Sequence, residues 1–159
     1  MYDSSFGFYF SLMTSKPHII LHPTDFSSQA VRALQFSLEQ LNMADTKLFI
    51  IHISDMPTIL TNPYSDDPKL WVRDKIQNAA AELDEYVKNN CVFVPIPVYD
   101  YDIILHTSIY KGILESIDRI KPYMVVIGQH GKSAWKEKLS GSTAAHLFGK
   151  VNCPLVIVP

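Results

Sequence analysis

The stretch CVFVPIPV, Cys91–Val98, decides the order of the sheet. Its apolar and β-branched residues read as a strand, yet Pro95 and Pro97 have no backbone N–H to give a neighbour. Prolines confine such a strand to a sheet edge. Outward from it, strand-like and helix-like segments alternate. HIILH (His18–His22) and KLFIIHI (Lys47–Ile53) are the first two strands. The second is almost continuously apolar, as in a parallel sheet covered on both faces. YMVVIG, ending at Gly128, and PLVIV (Pro154–Val158) are the fourth and fifth.

The helices lie between them. SSQAVRALQFSLEQLNM offers Ser27 or Ser28 as a cap, and Ala30, Leu34, Leu38 and Leu41 recur at helical spacing. A second helix spans about Leu70 to Asn89, with Ile76, Ala80, Leu83 and Val87 on one face. SIYKGILESIDRI is the third, with Ile109, Ile113, Ile117 and Ile120 facing inward, and YDYDIIL falls between strand 3 and this helix. A short helix opens at Gly141-Ser142-Thr143 and runs to about Lys150. The order βαβαβαβαβ is that of a doubly wound α/β sheet. Two strand orders suit it, 2-1-3-4-5 and 3-2-1-4-5. An edge position for strand 3 selects 3-2-1-4-5, with helices on both faces. In that order the sense of winding reverses between strands 1 and 4, and ligands bind at the carboxyl ends of the strands there.

Strand 1 delivers Pro23, Thr24 and Asp25 to the switch point, and strand 4 delivers Gly128, Gln129, His130 and Gly131. Glycines allow close backbone approach, and successive amides can form an anion nest. Gly141, Ser142 and Thr143 open a helix whose free amides also favour an anion. Gly131-Lys132-Ser133 is not the end of a P-loop. That motif needs a glycine five residues before Gly131, where Val126 stands. The readable spacing is G-x2-G-x9-G-[ST]. With no ligand, these glycines would serve as turn and cap residues. Asp25 suits either a ligand contact or the first turn of helix 1, and both roles can hold.

PTDFS, a strand ending in IIHI, VVIGQHGKSAWKEKLSGST and a terminal CPLVIVP occur here in the order typical of the universal stress protein family, which the chain resembles from about Lys16 to Pro159. The resemblance implies the same 3-2-1-4-5 sheet. It also implies the ATP-binding subclass, in which this glycine pattern holds the nucleotide. Carried over by position, Thr24 and Asp25 would meet the adenosine, with Pro23 and Ile53 lining the base. Gly128, Gln129, His130 and Gly131 would wrap the ribose and first phosphates, with Ile127 also among the nucleotide-binding residues. Gly141, Ser142 and Thr143 would hold the remaining phosphates, with Mg²⁺ held mostly by those phosphates. Thr143 stands where valine is common in the family, and the YDYDIIL tract lacks the usual glycine. The resemblance further implies a homodimer, formed through the apolar fifth strand at the other sheet edge.

Other features bound the function. A 159-residue chain with 47% apolar and 19% charged residues reads as one soluble domain with its own core. A net charge of −2 argues against nucleic acid or an anionic membrane as partner. Cys91 and Cys153 have no metal-ligand spacing and read as buried free thiols, which suits a cytoplasmic location. The six histidines show no metal-ligand spacing, and His52 reads as a hydrogen-bonded core residue. Lys132, Lys136 and Lys138 read as a solvated loop face. The run before Lys16 lacks a basic segment, so it is a poor signal peptide. Residues 1–15 are expected to be a leader preceding one domain over 16–159. Met13 is a candidate native start, and an aromatic arm against a neighbouring subunit is the alternative. The long connection from Asp55 to Pro68 has the length of a functional loop.

Three functions follow. The first is a regulatory ATP-binding stress protein with at most slow hydrolysis, since Asp25 and Glu137 are the only carboxylates near the loops. The second is a nucleotide hydrolase or adenylyl-transfer enzyme on the same scaffold. The third is a nucleotide-free dimeric interaction module that uses the long loop.

Overall fold

The computed structural model describes residues 17–41, 45–56, 68–91, 99–131 and 142–159. Five strands form one parallel sheet: β1 (His18–Thr24), β2 (Thr46–Asp55), β3 (Tyr99–His106), β4 (Met124–Gly128) and β5 (Leu155–Val158). The helices are α1 (Ser28–Gln40), α2 (Pro68–Asn90), α3 (Ile109–Ile120) and α4 (Ser142–Leu147). The strand order is β3-β2-β1-β4-β5, as expected.

The third strand differs from the reading of Cys91–Val98. α2 runs to Asn90, and β3 is the YDYDIILH tract, paired with β2 from Leu48↔Tyr99 to Asp55↔His106. Pro95 and Pro97 lie outside the described residues, so the edge position of β3 does not rest on them. Aspartate is depleted in strands, which disguises this segment. On an edge strand its cost is small, because one side of the strand is open and a charge there discourages further pairing. Asp102 also gains a partner in Arg119 of α3, 2.7 Å away. Tyr99 and Ile103 pack to one side of the sheet and Ile104 to the other, the alternation a strand requires.

The core has two layers. Ile20, Leu48, Ile50 and Val126 meet Ala33 and Leu34 of α1 and Leu83, Tyr86 and Val87 of α2 on one face. Leu21, Ile51, Ile53, Val125 and Ile127 meet Ile113 and Ile117 of α3 and Ala144 and Leu147 of α4 on the other. Ser27 is the N-cap of α1, its hydroxyl accepting the Ala30 amide at 3.2 Å. Two expected core positions are exposed instead. Ile76 of α2 is 39% exposed, the buried face there being Ala79, Leu83, Tyr86 and Val87. Ile109 of α3 is also 39% exposed, because it sits in the first turn, before the buried Gly112, Ile113, Ser116 and Ile117.

β1 pairs with β2 along its whole length, ending at Thr24↔His52. With β4 it pairs only at Ile20↔Met124 and Leu21↔Val125. The backbone ladder between the two central strands therefore stops short of their carboxyl ends, where the winding reverses. Pro23 lies beyond the last β1–β4 pair, so a residue without an N–H is tolerated in this central strand.

Candidate functional site

The loops that follow β1 and β4 meet at the carboxyl ends of the strands, where the winding reverses. After β1 the chain turns through Asp25 and Phe26. The Asp25 carboxylate accepts the Ser27 amide through Oδ1 at 3.1 Å, so it does serve the start of α1. Its Oδ2 lies directly against the Cα of Gly131, in the space that a Cβ there would need. This is the point at which the two predicted segments touch. Gly128 is constrained differently. A Cβ at Gly128 would stand 2.9 Å from the backbone carbonyl carbon and oxygen of Gln29, in the first turn of α1. Neither glycine has the left-handed φ. What each site demands is the absence of a side chain.

Phe26 does have a left-handed backbone, with φ 61°. Such a conformation is uncommon for a bulky residue and costs on the order of 1–3 kcal/mol. Three contacts offset it. Its amide donates to Thr24 Oγ1 at 3.0 Å, its ring stacks on His52 at 4.4 Å, and it meets Tyr86 edge-on at 5.5 Å. His52 is half-buried, and its Nδ1 donates to the Thr24 carbonyl at 2.9 Å.

Beneath the loop lies His22, fully buried. Its Nδ1 donates to the Val126 carbonyl at 3.1 Å, bridging β1 and β4 just beyond their last backbone pair. Its Nε2 lies 3.2 Å from the Tyr86 hydroxyl. Burial lowers the His22 pKa from 6.5 to about 4, against a smaller opposing effect of the Val126 bond, so the ring is neutral near pH 7. Burial likewise pushes the Tyr86 hydroxyl well above its ordinary value.

The other expected site residues are distributed as follows. Thr24 is buried, and its hydroxyl accepts the Phe26 amide. Ile53 and Ile127 place their side chains in the core beside α3 and α4. Gln129 is exposed, and its amide continues the β4–β5 ladder to Val158 at 2.7 Å. His130 is half-buried, with Nδ1 buried and lacking a hydrogen-bond partner, as does Gln29 Oε1. Thr143 is half-buried in α4; Gly141 and the Ser142 side chain lie outside the described residues, as does the connection 57–67. His22, Phe26, Gln29 and Tyr86 were not among the residues singled out from the sequence. Tyr86 could have been found at three residues beyond Leu83 on the same helical face. His22 carried only the signal of a polar residue ending an apolar strand. Among the described residues no helix is long and apolar enough to cross a membrane, and no group of three or more His, Cys, Asp or Glu is placed to hold a metal.

Comparison with known proteins agrees with this architecture. The Universal stress protein MJ0577 of Methanocaldococcus jannaschii is 26% identical over 155 residues, covering 87% of this chain and 93% of the relative. The universal stress protein UspA of Lactobacillus plantarum superposes with a TM-score of 0.73 at 14% identity, covering 92% of this chain and all of that one. A universal stress protein in complex with cAMP superposes with a TM-score of 0.62 at 16% identity, covering 91% and 98%. The Archaeoglobus fulgidus universal stress protein in complex with dAMP gives 0.53 at 16%, with the same coverage. At these identities the superpositions speak for the fold alone. The pattern of the universal stress protein family matches residues 17–159, and the chain belongs to that family.

Proposed function

We propose that this chain is an ATP-binding stress protein that uses the nucleotide as a regulatory ligand in the crevice between β1 and β4. The observation that carries the reading is the contact of Asp25 with Gly131, which brings the loops after β1 and β4 together at the switch point. The residues there suit a nucleotide. Buried polar groups without partners are costly, and His130 Nδ1 and Gln29 Oε1 are two such groups near the glycine loop. A ligand hydroxyl or an ordered water would satisfy them. Two family members of the same fold are known with adenine nucleotides bound, cAMP in one and dAMP in the other. The phosphates would extend toward Gly141, Ser142 and Thr143 at the start of α4, and Mg²⁺ would arrive on the phosphates themselves. Asp25 is engaged with the Ser27 amide, which weakens its case as a general base. Hydrolysis is therefore slow at most.

The assembly we propose is a homodimer paired through β5. That strand forms one edge of the sheet and leaves Ile157 40% exposed. An apolar edge is a liability unless it is paired.

The test is to denature freshly purified protein and identify what it releases. ATP or ADP in stoichiometric amount supports the reading, and Gly131→Val should then come out empty. A Gly131→Val protein that still carries full nucleotide sinks the loop assignment. Wild-type protein that neither carries nor binds adenine nucleotide sinks the whole reading in favour of a nucleotide-free interaction module.

A further inference from the structure

We propose that Gln29 is a specificity-determining residue of the nucleotide site, taking up the ribose hydroxyls together with His130, so that the site selects ribonucleotides over deoxyribonucleotides. The inference deepens the nucleotide reading and rests on it for the identity of the ligand.

Gln29 lies in the first turn of α1, and that turn is held in place. Ser27 caps it at the Ala30 amide, and Asp25 accepts the Ser27 amide at 3.1 Å. The Gln29 carbonyl and Cβ stand 2.9 Å and 3.0 Å from the place a Cβ on Gly128 would occupy. The missing side chain at Gly128 thus lets α1 close on the loop after β4, and the Gln29 side chain starts from that contact. Its Oε1 is buried and has no hydrogen-bond partner. Two residues beyond Gly128, His130 Nδ1 is in the same condition. They are the two such side-chain atoms among the described residues. Buried polar side chains elsewhere are satisfied. Ser37 and Ser116 donate to the Ala33 and Gly112 carbonyls, and both His22 nitrogens have partners. Unmet hydrogen-bonding capacity is therefore concentrated on the two segments that meet at Gly128.

The donor and acceptor roles select the occupant. A glutamine oxygen only accepts, so Gln29 needs a donor. An ionised phosphate has none to give. The Asp25 Oδ2 against Gly131 adds a carboxylate to the same loop, which further disfavours a phosphate there. An imidazole nitrogen donates or accepts according to its tautomer, and a hydroxyl can meet either role. Two adjacent hydroxyls thus satisfy both atoms, and in a nucleotide that group is the ribose diol. A sugar lacking one of them leaves a buried group unpaired, which costs more than the bond itself is worth.

Titration calorimetry of the full chain with ATP, 2′-deoxyATP, 3′-deoxyATP and ITP tests this. Wild-type protein should bind ATP at least about tenfold more tightly than one of the deoxy analogues, the scale of one unpaired buried group. Gln29→Leu should weaken ATP about tenfold and bring that ratio to within about twofold, with the ratio of ATP to ITP unchanged. A deoxy penalty that survives Gln29→Leu in full overturns the proposal, because another group then reads the sugar. A change in the ATP to ITP ratio also overturns it, since Gln29 would then face the amino group of the base. Ligand-free melts separate binding from folding. Gln29→Leu should melt no lower than wild type, because it removes a buried acceptor that nothing pairs. A clear drop would assign Gln29 to the fold and overturn the proposal. Wild-type protein that binds the nucleotides without preferring ribose defeats this inference alone. Wild-type protein that binds none of the four defeats the nucleotide reading itself, and this inference with it.

Discussion

Gly128 and Gly131 look alike in the sequence, and the structure gives them different neighbours. The group facing Gly131 is the end of the Asp25 side chain, which can swing away, whereas the group facing Gly128 is helix backbone, which cannot. Gly131→Ala should therefore weaken ATP and cost less stability than Gly128→Ala, about 0.5–1 kcal/mol, because turning the carboxylate aside strains its bond to the Ser27 amide. Gly128→Ala should destabilise by about 1–3 kcal/mol in urea denaturation, the usual penalty for overpacking. Equal stability losses in the two variants would contradict this assignment. His22 makes a second prediction at this scale. Its pKa is about 4 when folded and about 6.5 when free, so between these values the unfolded chain binds the extra proton. Stability from this group is complete above about pH 6.5, falls as the pH drops, and levels off below about 4, a total of about 3 kcal/mol at most. Thermal melts across that range should show the slope, and NMR titration of the His22 ring should place its midpoint near the low end.

The helix starts show how differently two serines can act. Ser27 caps α1 with its own hydroxyl. Ser108 is the N-cap of α3 by position, yet its side chain makes no cap bond. His106 takes part of that role instead, its Nδ1 accepting the Ser108 amide at 2.9 Å while its Nε2 lies 3.4 Å from Glu115. Ser27→Ala should cost about 1 kcal/mol of stability and Ser108→Ala clearly less. Matching losses in denaturant melts would refute the distinction. The same scale explains the displaced third strand. Prolines and apolar runs are strong local signals, but an edge strand can be built from alternating Tyr and Asp. Pairing along β2 supplies the backbone bonds that the side-chain composition did not advertise.

At the scale of the whole molecule, β3 and β5 are the two edge strands of the sheet among the described residues. β3 carries Asp100 and Asp102, whereas β5 is LVIV. Charge guards the first against pairing, and nothing comparable guards the second. The proposed dimer should therefore form through β5. Ile157→Lys should convert it to monomer in sedimentation, because pairing would bury the half-exposed Ile157 and a lysine resists that burial. A wild-type protein that sediments as a monomer at all concentrations would remove the dimer from the account.

The sequence by itself determined the α/β class, the alternation of elements, the two glycine-bearing loops and the strand ends that present them. These are local properties: periodicity, capping residues and turn residues act over a few neighbours and can be read there. The tertiary structure alone decided which tract became the third strand, which faces of α2 and α3 were buried, and why Gly128 and Gly131 lack side chains. It alone brought His22 and Tyr86 together, a residue of a central strand and one of a helix 64 positions away. A hydrogen bond of that kind depends on a donor and an acceptor meeting after the sheet has twisted and the helices have packed. No spacing along the chain encodes that meeting, so it becomes visible only in three dimensions.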